Sequence, residues 1–265
     1  KLPINQWIYN EFTSTQQLIS KNIETFRFDL AAKHAYQFVW HSYCDWYLEF
    51  LKPILNSNNK KEIYEAKSFA SFIMSNILKL LHPFIPFFTE SIWQNNNYKN
   101  NYKNDLVSSS WPDYKFASKF KKNQDSINNI IELVSSIRST KAELKITPKL
   151  HCNLFFSEKS PFLQKLINNN FNMISKLGRI NSIVDSKKNS NNVIEILVLK
   201  EKISLIFEEN IDLLSQKEKI KKKLESLGKK INLLNNKLEN KAYLNNAPKE
   251  IVQNDKNLVK ELTIE

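Results

Sequence analysis

Apolar side chains recur at helical spacing along most of the chain. Nowhere are they denser than in DLAAKHAYQFVWHSYCDWYLEFLKP, from Asp29 to Pro53. Ala31, Ala35, Phe38, Val39, Trp46 and Phe50 make one wide apolar face. Ala32, Tyr36, Trp40, Tyr43, Tyr47 and Leu51 fill a second. A helix apolar on both flanks belongs inside a bundle, with Asp29 capping its start and Pro53 ending it. Other helical stripes surround it in sequence. Ile4, Trp7, Ile8, Phe12, Leu18 and Ile19 mark a first helix over Leu2–Ile19, with Pro3 suited to its first turn. Ala66, Phe69, Ala70, Ile73, Ile77, Leu78 and Leu81 mark a third helix over Ile63–Leu81. Pro83 and Pro86 then break the chain into a corner that Phe84, Ile85, Phe87, Phe88, Ile92 and Trp93 wedge into the core. A last bundle helix runs from about Ala117 to Lys145 on Ile127, Ile130, Ile131, Val134, Ile137 and the alkyl part of Lys141 or Leu144.

From Leu150 the period changes. HCNLFF, INSIVDS and NVIEILVLK read as strands, followed by a short ISLIF segment. SPFLQKLINN reads as a short helix, and NMISKLGR as a helical turn ending near Gly178. The final stretch returns to helix. Ile220, Leu224, Leu227, Ile231, Leu234 and Leu238 alternate in steps of four and three, which is a coiled-coil seam. KAYLNNAP, Lys241–Pro248, is a turn, after which Ile251, Leu258 and Leu262 face back. The expected architecture is mainly α: a helical bundle over residues 1–149, a small mixed α/β linking module over 150–207, and an antiparallel coiled-coil hairpin over 208–265.

Composition adds a partner class. The 265 residues carry a formal net charge of +12, which points to a polyanion such as nucleic acid. Lysine far outnumbers arginine, present only as Arg27, Arg138 and Arg179, so compositional drift towards Lys and Asn competes with that reading. Two glycines leave no material for a glycine-built phosphate cradle. Cys44 and Cys152 stand on different elements without CxxC spacing, so no zinc or disulfide is expected, Cys44 reads as a small buried side chain, and a reducing cytoplasm fits. No apolar run reaches membrane-span length, and no leader pattern opens the chain. Because the first residue is Lys rather than Met, a piece of a longer protein is expected. His82 lacks any nucleophile or ligand spacing around it and reads as structural. QNNNYKNNYKND, Gln94–Asp105, reads as a solvated loop.

Several of these stretches carry a resemblance. YQFVWHSYCDWYLEFLKP, Tyr36–Pro53, resembles the signature helix of the anticodon-binding domain of the valyl-tRNA synthetase family, with Tyr43 in place of a Phe. LLHPFIPFFTESIW, Leu80–Trp93, is similar to the His-Pro-Phe corner shared by related class I synthetases. IRSTKAELKITPKL, Ile137–Leu150, resembles that domain's last-helix element, with Lys141 in an arginine position. NKAYLNNAP, Asn240–Pro248, resembles the tip of the family's C-terminal arm, with Tyr243 for a Phe. The resemblance implies the tRNA-binding C-terminal portion of a valine–tRNA ligase, with tRNA(Val) as partner. It implies ATP and magnesium only for the complete enzyme, whose N-terminal catalytic and editing domains are missing here. Neither the His-Ile-Gly-His nor the Lys-Met-Ser-Lys-Ser signature occurs, so no catalytic residue, cofactor site or metal site is assigned to this segment.

Two sets of cations are the candidate contacts. Arg138, Lys141 and Lys145, at i, i+3 and i+7, form an expected basic ridge for the anticodon region. Lys222, Lys223, Lys229, Lys230, Lys237 and Lys241 are the expected arm contacts. They belong to a stretch, Leu213–Lys241, in which nine Lys face three Glu. The competing reading is a free-standing basic RNA-binding or coiled-coil scaffold protein without an enzymatic role. A monomer without membrane association is expected under the first.

Overall fold

The computed structural model describes residues 2–96, 98, 105–156, 161–184, 192–208, 213–240, 243 and 249–264. The chain divides into two compact units, Lys1–Phe207 and Glu208–Glu265. Most described residues are helical, and a small four-stranded sheet completes the first unit.

The first unit is built around α1 (Pro3–Glu24), which packs on α2 (Phe28–Gln37), α4 (Lys60–Leu81) and α6 (Lys121–Glu143). Pro3 occupies its first turn, where a missing N–H costs nothing. Ile4, Trp7, Ile8, Phe12 and Ile19 are all buried, whereas Leu18 is exposed. Trp7 meets Phe50 edge-on at 6.0 Å, and Phe12 meets Phe38 at 5.8 Å. Polar side chains also enter this interface, each with a partner. Tyr47 donates to Asn5 Oδ1 at 2.8 Å, and Trp7 Nε1 donates to Asn128 Oδ1 at 2.9 Å. Buried Asn10 accepts from the Ala117 amide at 3.2 Å and donates to the Ala117 carbonyl at 3.3 Å. Satisfied polar groups of this kind fix the register of α1, because a slip would orphan them in a dry interior.

The aromatic stretch departs from expectation in an instructive way. It runs as α2, a π-helical segment over Phe38–Tyr47, and α3 (Leu48–Leu55). A π-helix closes i→i+5 bonds, so it takes in an extra residue and turns every later position by about 100° relative to an α-helix. Tyr43, Tyr47, Phe50 and Leu51 are therefore buried, while Tyr36 and Trp40, expected on the same inner face, stand 61% and 53% exposed. Ala32 is exposed too, and Cys44 is only half-buried. Burial pushes the Tyr43 hydroxyl up to about 12 and raises that of Tyr47 further. Asp29 is not the cap of α2. It lies in the first turn and pairs with Arg27 through contacts of 3.0 and 2.9 Å, and that hydrogen bond holds its carboxyl down at about 2. Pro53 does not end the helix but sits inside α3, which continues to Leu55.

The double-proline corner joins α4 to α5 (Pro86–Asn95). His82 Nδ1 lies 2.9 Å from Thr89 Oγ1, and that hydroxyl is also within 3.0 Å of the Ile85 and Pro86 carbonyls, so His82 stitches the corner together. Trp93 is fully buried, but Phe87 and Phe88, expected in the core, are 92% and 64% exposed. Tyr98, from the stretch expected to be a solvated loop, packs instead on Trp93 at 5.2 Å beside Leu78 and Leu106. Residues 97 and 99–104 of that stretch lie outside the described residues.

β1 (Cys152–Phe156), β2 (Ile180–Ile183), β3 (Val193–Val198) and β4 (Glu201–Ile206) form a sheet in the order β2-β1-β4-β3. β1 and β2 are parallel, joined through the single helix α7 (Pro161–Gly178), which is interrupted at Asn170 where two helical pieces had been expected. The other pairings are antiparallel. The β3–β4 turn uses Leu199 and Lys200, both at positive φ, and Glu132 of α6 accepts from the Leu199 amide at 3.3 Å. α7 packs on α6 and α3, so the module is part of the first unit. Of the second strand stretch, INSIVDS, residues after Val184 are outside the described ones.

In the second unit, α8 (Leu213–Glu239) and α9 (Lys249–Ile264) contact one another. Leu227, Ile231, Leu234 and Leu238 are half-buried on α8, while Leu224, an expected seam residue, is exposed. On α9 the half-buried set is Val252, Asp255, Val259 and Leu262, whereas Ile251 and Leu258 are exposed. Leu262 faces inward as expected, but Val252 and Val259 take the places expected of Ile251 and Leu258, and steps of three, four and three from Val252 place Asp255 inward to meet Tyr243. The Tyr243 hydroxyl donates to Asp255 Oδ2 at 2.7 Å. The expected turn is described only at Tyr243, and the Ile220 side chain lies outside the described residues.

Candidate nucleic-acid interface

The C-terminal end of α6 carries the first set of candidate cations, and the structure separates them. Leu144 closes the helix and Lys145 follows at φ 53, the left-handed conformation usually given to glycine. The Ile146 amide donates to the Lys141 carbonyl at 2.7 Å and the Lys145 amide to the Ala142 carbonyl at 3.0 Å. That pair of bonds satisfies two carbonyls that the helix end would leave orphaned. Lys145 is thereby exposed at the end of the helix, with its charge near the negative pole of the helix dipole. Because an L side chain is strained at this φ, Lys145→Gly is expected to raise stability by about 0.5–1 kcal/mol, read as a higher urea midpoint. An unchanged or lower midpoint would show that the side chain contributes more than the backbone strain takes away.

Arg138 is exposed but not free to wander. Its Nε donates to the Leu177 carbonyl at 3.1 Å, and its guanidinium lies over the Trp46 ring at 5.4 Å. Trp46 belongs to the aromatic helix and Leu177 to α7, so Arg138 is held between bundle and module with its fork near solvent. Lys141 is different. It is 2% exposed, donates to the Leu150 carbonyl at 2.8 Å and the Gly178 carbonyl at 3.1 Å, and lies over Phe207 at 5.8 Å. Burial pulls its ammonium below the usual lysine range, partly countered by the neighbouring Cys152 thiol. The Cys152 thiol is in turn raised by its own burial. The expected three-residue ridge is therefore corrected: Lys141 faces two backbone carbonyls in the interior rather than solvent, leaving Arg138 and Lys145 at the surface.

The second set lies on the second unit. Lys222, Lys229, Lys230 and Lys237 are exposed, and Lys237 sits 5.9 Å from the Tyr243 ring centre. Lys223 is in α8 with its side chain outside the described residues, and Lys241 lies outside them altogether.

Periodicity missed one feature of the surface. Tyr36 and Trp40 hold their rings parallel within 3° at a centroid separation of 6.2 Å. Exposed Lys33, Gln37 and His41 border them. The signal available in sequence was only their i, i+4 spacing; nothing in composition marks the π-helical segment that leaves them outside.

Among the described residues no group of three or more His, Cys, Asp or Glu side chains could hold a metal ion, and no helix is long and apolar enough to cross a membrane. A groove of about 860 Å³ is lined by residues such as Gln16, Ser20, Phe28, Phe84 and Trp111.

Comparison with known proteins gives this surface a context. Residues 5–156 match the family described as the anticodon-binding domain of tRNA ligase, and residues 212–264 match the valyl tRNA synthetase tRNA binding arm. The valine–tRNA ligase of Pelagibacter ubique is 38% identical over 253 residues, covering 96% of this chain and 29% of that protein. That of Rhizobium meliloti is 30% identical over 265 residues, covering 100% of this chain and 28% of that protein. That of Agrobacterium fabrum is 29% identical over 265 residues with the same coverage. The chain thus spans less than a third of the length of these curated relatives. With an anticodon-binding domain followed in order by this arm, the chain belongs to the valyl-tRNA synthetase family.

Proposed function

We propose that the chain is the tRNA-binding portion of a valine–tRNA ligase, holding tRNA(Val) while catalytic and editing domains elsewhere in the whole enzyme attach and proofread valine. The observation that carries this reading is the order of the two matched segments on one chain, anticodon-binding domain first and tRNA-binding arm second. In this reading residues 1–149 form the anticodon-binding bundle, 150–207 a linking module, and 208–265 an antiparallel coiled-coil hairpin for the tRNA elbow. The net charge of +12 supports a polyanionic partner. Arg138 and Lys145 are the surface cations assigned to the anticodon region, and Lys222, Lys223, Lys229, Lys230, Lys237 and Lys241 those assigned to the arm. ATP and magnesium would act in the whole enzyme, in a monomer in the cytoplasm. Two tethered contacts on one tRNA bind more tightly than either alone, which suits a segment that orients a substrate for a remote centre.

The test is a binding titration. The chain is expected to bind tRNA(Val) with an affinity that falls steeply as salt rises, and to leave it uncharged when valine and ATP are added. A tRNA with a swapped anticodon is expected to bind less tightly. Equal affinity for the two would remove anticodon reading, and the basic scaffold reading would then account better for the charge.

A further inference from the structure

Tyr36 and Trp40 are a pair of large aromatic side chains that the fold leaves outside and holds in parallel. Two large aromatic rings are more than half exposed on a helix whose neighbouring residues Ala35, Phe38, Tyr43 and Tyr47 are buried. The rings are parallel to within 3°, with centroids 6.2 Å apart. They are presented by the end of α2 and the start of the π-helical segment. π-helical insertions are rare and concentrate at functional sites. Here the insertion has a definable effect, since it lets Tyr43 and Tyr47 enter the core without carrying Tyr36 and Trp40 in with them.

We propose that Tyr36 and Trp40 form a stacking platform for an unpaired base of the tRNA anticodon loop. The proposal rests on the tRNA-binding reading above and deepens it by naming the surface that takes a base. Flat, solvent-facing aromatic rings are what unpaired bases stack upon, because every base has a π-face and burying it against a ring removes apolar area from water. The borders of the platform suit the rest of a nucleotide. Gln37 and His41 are exposed beside the rings and can donate to or accept from a base edge, and exposed Lys33 supplies a cation for a phosphate. His41 Nδ1 lies 3.4 Å from Asp45 Oδ2, which keeps that carboxylate turned towards the imidazole. The platform lies in the segment matched to the anticodon-binding domain, on a chain of net charge +12, and both favour RNA over an apolar protein segment as its occupant.

The experiment compares the unsubstituted chain with Tyr36→Ala/Trp40→Ala, using tRNA(Val) and a tRNA(Val) whose three anticodon nucleotides are abasic. The double substitution is expected to weaken binding to tRNA(Val) by about tenfold or more. It should leave the slope of affinity against salt unchanged, since no phosphate contact is removed. The abasic tRNA should bind the unsubstituted chain correspondingly less well, and the double substitution should cost little further. Trp40→Phe is expected to retain most of the affinity by conserving a ring. Both side chains are exposed, and an unchanged thermal midpoint checks that the fold is intact. Unchanged tRNA(Val) affinity in the double variant overturns the platform while leaving tRNA binding standing. An equal loss on intact and abasic tRNA also overturns it, and points to an apolar protein segment or the ribose backbone as occupant. If the unsubstituted chain fails to bind tRNA(Val), the tRNA-binding reading falls and takes the platform with it.

Discussion

Lys141→Ala is expected to destabilise the first unit by about 2–4 kcal/mol, one of the largest losses available from a single position. The ammonium is 2% exposed and makes two hydrogen bonds, to the carbonyls of Leu150 and Gly178. A hydrogen bond from a charged donor contributes about 1.5–3 kcal/mol, and removing the donor leaves both carbonyls buried without it. Desolvating the ammonium offsets part of that gain, which keeps the estimate below the sum. For a unit of this size the loss corresponds to a drop of about 5–15 °C in thermal midpoint. Lys141→Met keeps most of the stem packing and is expected to lose less. The pH dependence has a defined sign. Burial lowers the folded-state pKa of Lys141 below its usual 10.5, so the unfolded chain binds the proton more tightly. Stability from this site therefore rises with pH, and the gain is complete only above 10.5, the unfolded value. The midpoint of the unsubstituted chain should rise relative to Lys141→Met between pH 8 and pH 10. Equal midpoints for Lys141→Ala and the unsubstituted chain would mean that the two carbonyls find other donors and that the joint does not depend on this lysine.

Lys141 also shows where reading a sequence stops. Helical spacing correctly places Arg138, Lys141 and Lys145 near one end of α6, but it cannot say what covers them. What covers Lys141 is the Leu150 carbonyl just beyond the helix and the Gly178 carbonyl at the end of α7, the latter brought there by the crossover between β1 and β2. A long-range backbone acceptor leaves no trace in local pattern. The aromatic helix fails for the opposite reason. Its period is read correctly as 3.6, yet the π-helical segment over Phe38–Tyr47 changes that period midway, so positions before it and after it belong to different faces. Burial of Phe38, Tyr43, Tyr47 and Phe50 was legible, and exposure of Tyr36 and Trp40 was not. β1, β2 and β3 were legible as strands from their own local pattern, whereas β4, buried without alternation from Ile203 to Ile206, was read only as a short ISLIF segment. On α9 the apolar residues Ile251 and Leu258 suggested one face, but Val252, Asp255 and Val259 are the half-buried ones. There a single polar contact, Tyr243 to Asp255 at 2.7 Å, accompanies the shift of register. Hydrophobicity alone could not weigh a partly buried hydrogen bond against two exposed apolar side chains.

Reversing charge on α8 is expected to produce the second large effect, this time on affinity rather than stability. Lys222, Lys229 and Lys230 are exposed on a helix in a stretch where nine Lys face three Glu, and Lys223 adjoins them in sequence. Each lysine that neutralises a phosphate releases a condensed counterion, so the slope of log affinity against log salt records how many such contacts exist. Changing all four to Glu removes up to four contacts and adds like-charge repulsion. The slope is then expected to flatten by about three, with affinity for tRNA(Val) at low salt falling by several orders of magnitude. Lys222, Lys229 and Lys230 are exposed, so the thermal midpoint should barely move, which separates lost binding from lost fold. The effect should also be nearly the same for tRNA(Val) and for an anticodon-swapped tRNA, because phosphate contacts carry no base information. That pattern is the reverse of the one expected from Tyr36 and Trp40, where the salt slope holds and base identity matters. If the four-fold variant keeps the salt slope of the unsubstituted chain, the cations on α8 do not touch RNA. The excess of lysine there would then reflect composition alone.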